Sequence, residues 1–227
     1  MAKKAKQKLD SGFETIEGSI SKTEQFIEKY QKQLTIAAVA ILVVIGLIFA
    51  YKKFIIEPQN EEAQEQVYVA QQYFERDSFN LALNGDGDFP GFLSIIDEYG
   101  SSKVAELSYL YAGICYFKLG EFDNAIEYLS DFSTSDAVLT AISEGTLGDS
   151  YVELNNFEKA ADYYQKAADA SDNKLTTPIF LMKLGRVYEE LGSNEKAKVA
   201  YERIKKDYRD TEEGRSIDKF ITRVNLK

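Results

Sequence analysis

The chain has 227 residues, 44% of them hydrophobic, with three prolines, one cysteine and no histidine. Without histidine it lacks the commonest general base and the commonest zinc ligand, and Cys115, set between Ile114 and Tyr116, reads as a small core residue rather than part of a disulfide or thiolate metal site. The formal charge of −10 is unevenly spread, +2 over residues 1–33 and −14 over residues 57–227, which disfavours nucleic acid as a partner.

Residues 1–33 form a Lys-rich tail, and Ser21 to Gln33 make an amphipathic candidate helix that either lies on a membrane or extends the segment after it. From Leu34 to Ala50 come seventeen residues without a charge, then Tyr51. As a helix this run is about 26 Å long, close to the thickness of a hydrocarbon core, so residues 34–51 are expected to be a transmembrane helix. A cleaved signal peptide fits worse, because the apolar run follows a long polar tail and Ile48 and Ala50 do not make a small-x-small site. Seven lysines precede the run, whereas Lys52 and Lys53 are followed mostly by acids. That bias predicts a cytoplasmic N-terminus and a C-terminal domain outside the inner membrane, in the periplasm of a Gram-negative cell. Residues 52–60 are expected to be a linker, with Pro58 interrupting any continuous helix.

Downstream, three segments share one template. They are Ala112-Gly113-x-x-Tyr116 with Gly120, Phe122 and Ala125; Leu147-Gly148-x-x-Tyr151 with Asn155, Phe157 and Ala160; and Leu184-Gly185-x-x-Tyr188 with Gly192 and Ala197. Gly113 to Gly148 is 35 residues and Gly148 to Gly185 is 37, against about 34 for a tetratricopeptide repeat. The small residues let two helices of a hairpin approach closely, and Gly120, Asn155 and Gly192 supply the positive φ of the turn. Gly148 should therefore reject a larger side chain, while Gly145, one turn away on the expected concave side, should accept one.

A degenerate repeat precedes these, with Ala70 and Tyr73 at the small and aromatic positions, Phe92 to Tyr99 as its second helix, and an insertion around residues 84–88 that reads as a turn rather than a calcium loop. Thr177 and Pro178 should open the last hairpin, and a lone helix from Glu212 to Val224, with Asp210 and Glu213 as a capping box, should cap the array. The fold class is all-α: one transmembrane helix, then a tetratricopeptide-type solenoid over residues 61–227 with a C-terminal capping helix.

In such solenoids the first helix of each repeat lines the concave side. The template places Val67, Gln71 and Phe74, then Leu110, Ile114 and Phe117, then Asp149, Val152 and Glu153, and finally Met182, Arg186 and Glu189 there. Each either contacts a partner or packs on a neighbouring helix. The mixed apolar and acidic groove suits an extended protein segment with apolar anchors; no cofactor or small-molecule substrate is implied, and an enzyme is disfavoured because no nucleophile elbow or phosphate loop is present.

The Lys-rich tail, single span and small-aromatic repeats together resemble the YfgM-like family. That resemblance implies an ancillary subunit of the SecYEG translocon, linked to periplasmic chaperones and emerging chains, which assists secretion by binding. An envelope scaffold gathering cell-wall or outer-membrane assembly factors is the alternative.

Overall fold

The computed structural model describes residues 29–226; the tail before residue 29, with most of the expected amphipathic helix, lies outside them. The chain divides into two units, Met1–Ile55 and Ile56–Lys227. In the first, residues 29–51 form helix α1, none of whose apolar window is buried, and it belongs to a helix long and apolar enough to cross a membrane. Leu42 is 67% and Phe49 70% exposed.

Residues 52–60, expected to be a linker with Pro58 interrupting any continuous helix, are helical throughout. A π-helical turn spans Lys52–Ile56, and α2 (Glu57–Glu75) starts directly after it with Pro58 in its first two positions. The wider π turn lets the chain pass proline without the clash its ring makes with the carbonyl four residues back.

The second unit continues with α3 (Phe79–Asn84), α4 (Phe92–Glu98), α5 (Lys103–Leu119), α6 (Phe122–Asp131), α7 (Ala137–Glu153), α8 (Phe157–Ala170), α9 (Thr177–Glu190), α10 (Asn194–Asp207) and α11 (Glu212–Asn225). Gly120, Asn155 and Gly192 sit at the hairpin turns with φ of 81°, 56° and 68°. Asp77, with φ of 56°, takes the same place after α2. Two residues on stand Phe79, Phe122 and Phe157, and five on stand Ala82, Ala125, Ala160 and Ala197, all four alanines fully buried. The first repeat is therefore complete, and its second helix begins at α3 rather than at Phe92. The helix breaks at Gly85 (φ 83°) and resumes as α4. The inserted turn is held by Asp86, whose carboxylate accepts from the backbone of Asp88 and Phe89 at 3.0 and 2.8 Å and from the Tyr73 hydroxyl at 2.6 Å.

Each hairpin closes where the template expects. A Cβ on Gly113, Gly148 or Gly185 would fall 2.4, 2.6 or 2.2 Å from Leu129, Tyr164 or Tyr201 of the second helix. Gly145 differs from its expectation. It is buried, and a Cβ there would lie 1.9 Å from Cε1 of Phe180 in the next repeat. Besides its hairpin partner α8 and helices α5 and α6 of the preceding repeat, α7 meets Phe180 of the following repeat, so it needs a glycine on two faces.

Two caps shift by a residue or more. Thr176, not Thr177, is the N-cap of α9; the Asn173 carboxamide accepts from the backbone of Leu175 and Thr176 at 2.7 and 2.8 Å, while Thr177 is buried and donates to the Ser171 carbonyl. Thr211 caps α11 through a 3.1 Å bond from the Gly214 N–H, and Asp210 instead pairs with Lys174 at 2.7 Å.

Candidate protein-binding face

First helices carry the candidate contacts, and the structure sorts them by what their second and third neighbours already occupy. Leu110 is 4% exposed and packs with Leu129 and Leu147, with Ile114 beside them, so the expected strip Leu110–Ile114–Phe117 loses its first residue to the core. Phe74 belongs to an aromatic cluster, edge-on to Phe79, Phe92 and Tyr111 at centroid distances of 5.8, 6.4 and 4.9 Å. Val152 packs against the C-terminal core. Phe117 is half-buried with its ring 5.8 Å from Phe122, outside the three core clusters.

Two of the three acids assigned to the groove are tied down. Asp149 takes both oxygens to the Lys183 ammonium at 2.7 Å and accepts from the Tyr164 hydroxyl at 2.5 Å. Glu189, with its side chain 5% exposed, accepts from Arg223 and from the Tyr201 hydroxyl at 2.8 Å. The pairs Asp149–Lys183, Asp169–Arg203 and Glu189–Arg223 each join residues 34 apart, one repeat period, so they staple successive repeats. Burial pushes the Tyr164 and Tyr201 hydroxyls well above the usual tyrosine range, and the adjoining carboxylates push further. Both phenols stay protonated donors.

Openings lie between α2 and α5 and between α9 and the terminal helix α11. One is a groove of about 410 Å³ between α2 and α5, with Val67 and Tyr111 in its floor and Gln71, Lys103 and Leu107 along its walls. Val67 is itself only 5% exposed, so it presents an edge and not a side chain. The other is a cleft of about 260 Å³ between α9 and α11, lined by Ile179, Arg186, Lys219 and Phe220, with Met182 7% exposed at its base. Arg186, Lys219 and Arg223 surround the Phe220 ring at 5.4, 5.0 and 4.8 Å, which explains why Arg186 stands on this face. Glu153 is exposed. Template counting did not find Tyr111, Leu107 or Phe220, because it follows one helix face while the grooves are built from two helices.

Elsewhere, Cys115 is fully buried and its thiol is pushed up to about 12 by burial, so it is not nucleophilic. No group of three or more metal-ligating side chains occurs among the described residues.

Two tetratricopeptide-repeat families match the chain, one over residues 107–135 and the other over residues 146–209. Within those two stretches the hairpins match the tetratricopeptide repeat, and the remaining hairpins are tetratricopeptide-like. Two crystal structures of MamA share the fold. One is 19% identical, with a TM-score of 0.51 over 70% of this chain and 93% of that one. The second is 17% identical, with a TM-score of 0.52 over 75% and 88% of the two chains. Comparison with curated proteins gave no match. Tetratricopeptide repeats indicate a role in protein–protein interaction.

Proposed function

We propose that this protein is a membrane-anchored, protein-binding accessory subunit of the Sec translocon that acts without a catalytic step. In this reading residues 34–51 cross the inner membrane, the Lys-rich tail stays in the cytoplasm, and the tetratricopeptide domain faces the periplasm. There it binds translocon subunits, periplasmic chaperones or nascent chains and assists secretion and envelope-protein biogenesis. The observation that carries the reading is an unburied apolar helix placed ahead of an array of tetratricopeptide repeats. So close a tether keeps the binding face at high effective concentration towards membrane partners.

Two measurements test it together. Protease added to spheroplasts should digest the repeat domain, and the full-length protein solubilised from crosslinked membranes should copurify with translocon subunits. A protected domain refutes the topology. Recovery of cell-wall or outer-membrane assembly factors without translocon subunits would make the protein an envelope scaffold instead.

A further inference from the structure

The negative charge of the repeat domain is confined to its first half. Residues 57–136 hold 16 acids against three bases, a net of −13, whereas residues 137–227 hold 16 acids against 15 bases. The groove between α2 and α5 lies in that acidic half. On α2, Gln64 and Gln71 line it, and Glu61, Tyr68 and Glu75 fall beside them in a row, Glu61, Gln64, Tyr68, Gln71, Glu75, spaced three or four residues apart and so sharing one helix face. Tyr68 is 60% exposed, and Glu61 and Glu75 are exposed with no ion pair among the described residues.

Each element of this row suits one kind of ligand. Gln64 and Gln71 line the groove, and a carboxamide can donate to and accept from a peptide backbone at once. Seven residues of helix rise about 10 Å, the length of three residues of extended chain, so both amides fall within reach of one short strand. Leu107 and Tyr111 offer an apolar wall and floor to side chains on one side of that strand. On the other side, Glu61 and Glu75 stand at the two ends of the row with an exposed aromatic ring between them, a setting for ammonium and guanidinium groups. Lys103 is the sole base lining the groove, and it sits at the first turn of α5.

We infer that the α2–α5 groove binds an extended segment of a partner protein in which lysine or arginine alternates with apolar residues. The inference deepens the reading of the solenoid as a protein-binding surface and rests on it. Charge complementarity selects the basic segment: the surrounding half-domain attracts cations over a Debye length and repels acidic chains.

The test uses the full-length protein in nanodiscs of zwitterionic lipid, with empty nanodiscs as the control. Three labelled peptides of equal length are titrated: one alternating Lys with Leu, one alternating Glu with Leu, and one alternating Ser with Leu. The Lys–Leu peptide should bind at least about tenfold more tightly than the other two, and its advantage should shrink severalfold between about 50 and 300 mM salt. Glu61→Lys with Glu75→Lys should abolish that preference at unchanged melting temperature, and Lys103→Glu should strengthen it by about two- to fivefold. Equal binding of all three peptides, or a preference that survives the Glu61→Lys/Glu75→Lys change, overturns the inference while leaving a protein-binding face. If no peptide of any charge binds, the inference and the reading beneath it both fail. Peptide-independent self-association that blocks the groove would assign the face to a second copy of the chain and also overturn the inference.

Discussion

Replacing Gly145 with alanine adds one methyl group to the seam between α7 and α9. That methyl would sit 1.9 Å from Cε1 and 2.3 Å from Cζ of Phe180, whereas carbon pairs settle at about 3.5–4.0 Å, so the ring or a helix must move by roughly 1.5 Å or more. Phe180 is 8% exposed and packed among core residues, so its ring has nowhere free to swing. Overpacking costs about 1–3 kcal/mol, and so deep an overlap with a buried ring takes the upper part of that range, about 2–3 kcal/mol, while alanine regains up to about 1 kcal/mol of helix propensity over glycine. A net loss of about 1–2 kcal/mol follows, a fall of roughly 2–8 °C in melting temperature for a domain of this size. Gly148→Ala meets Tyr164 at 2.6 Å, a milder conflict, and should cost less. Phe180→Leu supplies the control, since in that background Gly145→Ala should be neutral or stabilising, giving a coupling of about 1–2 kcal/mol. Urea titration of the detergent-solubilised protein, followed by circular dichroism at 222 nm, reads all four variants. If Gly145→Ala proves as stable as the parent, or loses the same amount with and without Phe180, the two-sided packing of α7 is wrong.

Asp149→Ala should cost about 1–2 kcal/mol in the same assay, because it strands the half-buried Lys183 ammonium and the Tyr164 hydroxyl together; an unchanged midpoint would show that the staple contributes nothing. Stability should fall as pH rises above about 10, the ordinary tyrosine value. Burial and then Tyr128 push Tyr116 up to about 12, and Tyr164 and Tyr201 are raised further, so the folded state keeps protons that the unfolded state has released. A urea midpoint that stays flat between pH 9 and pH 11.5 contradicts this. Cys115, fully buried with a raised thiol, should react with a maleimide only in denaturant, and prompt labelling of the native protein would place it at the surface.

How far the sequence was legible depends on which neighbour a residue meets. Contacts inside one hairpin recur at fixed offsets, so Gly148 and Tyr164 or Gly185 and Tyr201 declare themselves as a template, and helix pairing followed from it. Contacts between repeats depend on superhelical twist, which no offset within one repeat encodes. For that reason the template places Gly145 and Leu110 on an open face although Phe180 and Leu147 cover them. Asp149 and Glu189 look like free acids until they are read one period ahead, where Lys183 and Arg223 stand 34 residues away. The first repeat hid its second helix because a turn interrupts it at Gly85, yet Asp77, Phe79 and Ala82 carried the template all along. The groove itself was the least legible feature, since its walls come from helices of different repeats.

Whether the first-helix face is the working surface can be decided by position-specific photocrosslinking in intact cells. A photoreactive residue would be placed at Gln71, Phe117 or Arg186 on first helices, and at Glu158 or Val199 on second helices, where both residues are exposed. The account predicts protein adducts from the three first-helix positions and none from the two second-helix positions. Adducts confined to Glu158 and Val199, or spread evenly over all five positions, would contradict it.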